Sequence, residues 1–390
     1  MHKYTFIASI ALVVAARALA APPAYVVRDL GIHTGAEPKL EPGSVGAAIA
    51  DGIAVGYAVT ALEHRNFHAF RYSTALADLG VLAGDDHSIA FGVNAQGQAV
   101  GVSYTLGELV SHGVIWEPNG STTALGNLEP HDINASGVVV GSMPVSGALG
   151  TSHAKRWSSG VTTDLGTLGG ISSMAFAVSD AGWIVGQSLL ANNATTRAFL
   201  VADGGMINLG TNGGTSSRAL DIHGLTVVGI ADTVGNIPHA TRWTLNADGT
   251  IASKLDLGTL PGSANSAAYG VNASGTIVGI SGDAAFRWSA GSMKNLNAEI
   301  GAGSGWQLTR ATGIDAAGRI VGVGKHFGLQ RAFILTPRAP ADFDADGSVS
   351  ASDLALLLGA WGSRDLNYDL SGDGSVGADD LGILLGAWAT

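Results

Sequence analysis

Residues 133–141 read INASGVVVG, and the same phrase returns along most of the chain. It stands as IADGIAVG at 49–56, VNAQGQAVG at 93–101, VSDAGWIVG at 178–186, IHGLTVVG at 222–229, VNASGTIVG at 271–279 and IDAAGRIVG at 314–322. Asn or Asp followed by small residues and Gly supplies a tight hairpin turn, and the flanking Val and Ile favour extended strands. The closing glycines are Gly56, Gly101, Gly141, Gly186, Gly229, Gly279 and Gly322, separated by 45, 40, 45, 43, 50 and 43 residues. A spacing of about this size belongs to a blade-type β repeat, not to a helical solenoid.

Two further signals keep step with the first. A strand motif follows each Val-Gly: HAFRY at 68–72, HGVIW at 112–116, HAKRW at 153–157, RAFLV at 197–201, HATRW at 239–243, AAFRW at 284–288 and RAFIL at 331–335. A Leu-Gly corner then closes the unit, as at Leu79-Gly80, Leu125-Gly126, Leu165-Gly166, Leu209-Gly210 and Leu257-Gly258, with Leu296-Asn297 in the sixth place. The last unit has no corner, whereas Asp29-Leu30-Gly31 stands alone ahead of the first. An N-terminal strand that completes the last blade closes a ring without exposed edges. The expectation is an all-β propeller of seven blades over residues 21–336.

These units resemble the HAF-type extracellular repeat, named for the motif present here as His68-Ala69-Phe70. The resemblance covers roughly residues 25–336 and implies a secreted repeat protein without specifying an activity. His68, His112, His153 and His239 occupy one slot on different blades, so they are expected to be apart and to serve as hydrogen-bonding residues, not as a shared metal site. Asn134 and Asn272 match a glycosylation sequon, but each lies in the repeat's turn, where turn chemistry accounts for it. The glycine cluster at 301–305 lacks the strand-to-helix setting of a nucleotide loop.

The bulk numbers agree with this picture. Of 390 residues, 57 are Gly, none is Cys and 13% are charged. A net charge of −11 argues against a nucleic-acid surface, which needs clustered Lys and Arg. Residues 1–20 read as a signal peptide, with Lys3 in a weakly basic start, an apolar run and Ala18-Leu19-Ala20 at the cleavage site. That run is too short to span a bilayer. The chain is therefore expected to be secreted, extracellular or cell-surface associated. With no disulfide available, stability must come from ring closure or bound metal.

The acidic charge is concentrated at the end. Residues 338–390 hold nine Asp, no Glu and two Arg, and so carry −7 of the total. The stretch DFDADGSVSASD places Asp342, Asp344, Asp346 and Asp353 at positions 1, 3, 5 and 12 of a calcium loop, with Gly347 at the sharp turn and the Ser348 carbonyl at position 7. The pattern returns 27 residues later as Asp369, Ser371, Asp373, Gly374, Ser375 and Asp380. Val349 and Val376 stand at position 8, the usual apolar contact between paired loops. DLALLLGAW and DLGILLGAW follow the two loops and are expected to form helices starting at the twelfth position. Two Ca2+ sites are expected.

The paired loops, with Asp at position 12 and one helix after each, resemble a type I dockerin over residues 342–390, joined by a linker at 337–341. The resemblance implies docking onto a cohesin-like protein module. It assigns partner selection to positions 10 and 11, which are Ala351-Ser352 and Ala378-Asp379 here. The leading expectation is a binding or scaffold protein anchored through this module, its propeller offered to an extracellular glycan or protein. The alternative is a carbohydrate-active propeller enzyme, a glycosidase or lyase. For that reading Asp132 and Asp221, which share one column of the repeat, are the first carboxylates to test, although a structural turn role also explains them.

Overall fold

The computed structural model describes residues 24–33, 43–60, 66–107, 111–147, 150–202, 204–344, 346–365 and 367–388; the segment read as a signal peptide lies outside them. The chain divides into two compact units, one of them Ala24–Arg338 and the other containing Ala339–Thr390. The first unit consists of seven four-stranded antiparallel sheets. In six of them the strands follow chain order. In the seventh, Tyr25–Asp29 forms the outermost strand, pairing antiparallel with Leu329–Pro337. The orphan corner at Asp29 thus belongs to the last blade, as the circular reading of the repeat requires. That outer partner runs through Pro337, and the Arg338 N–H bonds to the Ala24 carbonyl, so ordered blade extends into the stretch read as linker.

A bulge at one position in every innermost strand explains the closing glycines. The extra residues are Ala47, Phe91, His131, Phe176, Leu220, Tyr269 and Thr312. Each bulge drives the preceding carbonyl over the neighbouring strand, where the Gly of Val-Gly sits. A Cβ on Gly56, Gly101, Gly141, Gly186, Gly229, Gly279 or Gly322 would lie 1.9–2.1 Å from that carbonyl oxygen. The requirement at these seven glycines is space for a backbone atom, because none has a positive φ.

The blades interlock through buried hydroxyls. Ser44, Ser88, Ser173, Ser217 and Ser266 stand on innermost strands, and each Oγ accepts the N–H of Ala332, Ala69, Ala154, Ala198 or Ala240 on the preceding blade. Ser88, Ser173 and Ser266 also donate to the corner carbonyls of Gly80, Gly166 and Gly258. Between the sheets, Phe70, Phe199, Phe286 and Phe333 are fully buried, each contributing about 1.5–3 kcal/mol by leaving water. Ser173→Ala leaves one donor and one acceptor unpaired at a buried site. It is expected to cost on the order of 1–3 kcal/mol, read as a lower midpoint in urea with an unchanged slope.

The second unit has a small core of Ala341, Val349, Leu357, Val376 and Leu384. Its helices are α1 (Ala351–Gly359) and α2 (Ala378–Gly386). Both begin two residues before the twelfth loop position. Asp353 and Asp380 are N3 residues, and their carboxylates accept the N–H of the cap residues Ser350 and Gly377. This capping satisfies donors that a helix start leaves open. Among the described residues, no helix is long and apolar enough to cross a membrane.

Candidate functional sites in the acidic loops and the propeller cup

In the first loop, oxygens of Asp342, Asp344 and Asp353 all lie within 4.8 Å of one another. Asp342 and Asp353 are buried and Asp344 is exposed. Gly347 makes the turn with φ +95°, and its N–H donates to Asp342 Oδ2 at 3.1 Å. Asp353 Oδ1 accepts the N–H of Phe343 at 2.6 Å and of Asp344 at 3.2 Å. Carboxylates forced this close are costly without a cation, and an all-oxygen set on one short loop suits a hard divalent ion. The residues therefore fit a metal site.

Not every predicted ligand joins that cluster. The Asp346 Oδ1 accepts both the N–H and the hydroxyl of Ser348 at 2.8 Å; these bonds, that of the hydroxyl first, hold its carboxyl below the ordinary range. In the second loop, Asp369 accepts the N–H of Gly372 and Gly374. Asp373 accepts the N–H and hydroxyl of Ser375, and Asp380 accepts the N–H of Ser371 and Gly377. Burial alone would raise Asp380, but those backbone donors outweigh it and lower its pKa. The difference between the loops has a chemical origin: Ser371 stands where the first loop has Asp344, leaving one carboxylate fewer. Asp369, Asp373 and Asp380 satisfy local donors and do not converge as in the first loop. Ala351, Ser352, Ala378 and Asp379 are exposed on the first turns of α1 and α2.

The propeller histidines pair within or between strands and do not meet one another as a metal site. His68, His153 and His239 bond through Nδ1 to Asp78, Asp164 and Asp256, each at 2.9 Å. Each Asp also accepts the N–H of the corner glycine two residues on. His112 uses Asp85 instead, because Ala124 occupies the corner's acidic place. Asn134 and Asn272 are buried, and their amides donate to the Ser179 and Asp315 carbonyls of the following blades. Turn stitching is therefore their role.

The ends of the innermost strands and their turns line a cup of 580 Å³. Asp51, Asp132, Asp180, Asp221 and Asp315 face it, with Arg319 paired to Asp315 at 2.7 Å. The other blades have Ala or Gly in the column of Asp132 and Asp221. Asp132 Oδ2 accepts the Val178 N–H at 2.9 Å, while Asp221 takes Ile222 N–H on Oδ1 and Val271 N–H on Oδ2, both at 2.7 Å. Each is half-buried, with some surface open to the cup.

Burial pushes Asp132 up to about 7, against the Val178 N–H and aided by the charge of Asp221. Burial pushes Asp221 up to about 6, against the backbone donors and His223. From about pH 4 upward the folded chain holds protons that the unfolded chain releases, so the stability these groups contribute in acid is lost as pH rises through about 7. Asp132→Asn is expected to flatten that loss, gaining on the order of 2 kcal/mol over the native chain between about pH 5 and 8. Thermal denaturation at both pH values reads the gain.

No protein family and no curated protein matches this chain. Among solved structures it is similar to TolB from Acinetobacter baumannii, at 11% identity and TM-score 0.42, covering 73% of this chain and 63% of that one. It is also similar to a Mycobacterium tuberculosis puromycin-hydrolyzing peptidase, at 12% identity and TM-score 0.46, covering 78% and 53%. A Trypanosoma rangeli sialidase aligns at 10% identity and TM-score 0.35, over 92% and 65%. The chain spans about half to two thirds of these proteins, and the likeness concerns the fold alone.

Proposed function

We propose that this chain is a secreted binding protein whose C-terminal loop pair takes up calcium and docks the propeller onto a cohesin-like protein module. The observation that carries this reading is a duplicated apolar surface beside the acidic loops. Leu358 on α1 is 51% exposed and Leu385, its counterpart on α2, is 53% exposed. Leu356 and Ile383 repeat the same arrangement. Apolar side chains left open at matching positions next to Ala351-Ser352 and Ala378-Asp379 suit a protein partner better than water.

Asp342, Asp344 and Asp353 would hold calcium in the first loop, with Asp346 and the Ser348 carbonyl as further oxygens. Asp369, Ser371, Asp373, Ser375 and Asp380 would form the weaker second site. Bound calcium would offset the repulsion among the carboxylates and fix the starts of α1 and α2. The propeller then displays its mouths to an extracellular glycan or protein. The carbohydrate-active reading draws on Asp132 and Asp221, yet three of their four carboxylate oxygens already accept backbone N–H groups. That bonding favours stitching between blades over acid–base work.

The test is a pull-down from the native extracellular fraction with the full chain, in calcium and then in chelator, beside a Leu358→Ser, Leu385→Ser variant. A partner retained only in calcium and lost with the variant is expected. Retention unaffected by both changes would refute the proposal.

A further inference from the structure

The half of the propeller channel opposite the acidic cup carries a different chemistry. There six of the seven bulge residues, all but His131, meet and, with Arg310 and Tyr57, line a cavity of 310 Å³. Phe91, Phe176 and Tyr269 enter it from blades 2, 4 and 6, Tyr57 from blade 1 and Arg310 from blade 7. These side chains are neither fully buried nor fully exposed. The Arg310 guanidinium lies 5.9 Å from the Tyr269 ring centroid. Among the described residues it forms no ion pair, and its buried Nε has no hydrogen-bond partner. Arg71 and Arg242 also leave a buried Nε without a partner, whereas Arg287 and Arg319 are each bonded to a carboxylate at 2.6–2.7 Å.

A guanidinium with a buried donor left unpaired in a concave aromatic site is costly to maintain. Its five donors in a planar fork match a carboxylate bidentately. Aromatic walls suit the apolar face of a ring, and the volume falls at the small end of ligand sites. The geometry points to a binding site for a carboxylated sugar, its acid group on Arg310 and its ring among Tyr57, Phe91, Phe176 and Tyr269. An extended acidic peptide fits less well, because it would offer no ring to these walls. This inference is independent of the docking reading, since none of these residues belongs to the C-terminal unit.

The experiment is calorimetry on the full chain in chelator, which removes any contribution from the calcium loops. The probes are a hexuronate trisaccharide, the same trisaccharide with its carboxyls reduced to alcohols, and a Glu-rich peptide. Binding of the hexuronate alone is expected, with affinity about 10- to 100-fold lower in Arg310→Met and partly restored in Arg310→Lys. Unfolding curves identify which variants are folded, and Phe176→Leu, which keeps Arg310, should also weaken binding. Equal binding of the acid and the reduced sugar would overturn the proposal. So would binding of the peptide alone, no binding at all, or undiminished affinity in folded Arg310→Met.

Discussion

Gly186→Ala is expected to cost about 4 kcal/mol or more, enough to leave much of the chain unfolded. The added Cβ would meet the Met174 carbonyl oxygen at 2.0 Å and the Phe199 ring at 2.8 Å. Neither can retreat, because the bulge at Phe176 fixes the carbonyl and Phe199 is fully buried. Gly182→Ala, in the turn of the same blade, provides the comparison. Gly182 has φ +86° and nothing within 4 Å of an added Cβ, so its cost is backbone strain alone, about 1–2 kcal/mol. Urea unfolding of both variants separates the two mechanisms. Equal losses would show that the bulge does not dictate the Val-Gly glycine.

Asp353→Ala is expected to melt the C-terminal unit even with calcium present. The carboxylate accepts three backbone N–H groups, from Phe343, Asp344 and Ser350, and is buried. Each orphaned donor costs on the order of 1–3 kcal/mol, and a core centred on five buried residues has little to set against that loss. Far-UV circular dichroism should lose the signal of α1 and α2 while the propeller's strand signal persists. By contrast, Asp344→Ala removes an exposed carboxylate of the cluster, and its expected effect is confined to calcium-loaded protein. Retention of helix in Asp353→Ala would contradict the capping role.

Much of the fold was legible because ring closure leaves a mark in the chain: a period, and a corner displaced from one terminus to the other. Asp29-Leu30-Gly31 is the corner that follows the closing strand. The bulges were hidden, since Ala47, Phe91, His131, Phe176, Leu220, Tyr269 and Thr312 share no chemistry. Only the glycines they impose recur. The serine latches did leave a signal, standing 12 or 13 residues before the closing glycines, but a small polar residue among many attracts no notice. In the tail, loop spacing anticipated that Asp342, Asp344 and Asp353 converge in the first loop. It placed the helix starts two residues late, because Asp353 and Asp380 also serve as capping residues. The Arg310 cavity was not legible, as its walls come from blades far apart in the chain.

The central claim is that calcium orders the C-terminal unit for docking. Calorimetric titration of calcium into the full chain, with circular dichroism alongside, tests it most directly. The account predicts saturable binding accompanied by a gain of helix, both abolished in Asp342→Ala, Asp369→Ala. Absence of calcium binding, or a spectrum identical in calcium and chelator, would contradict it.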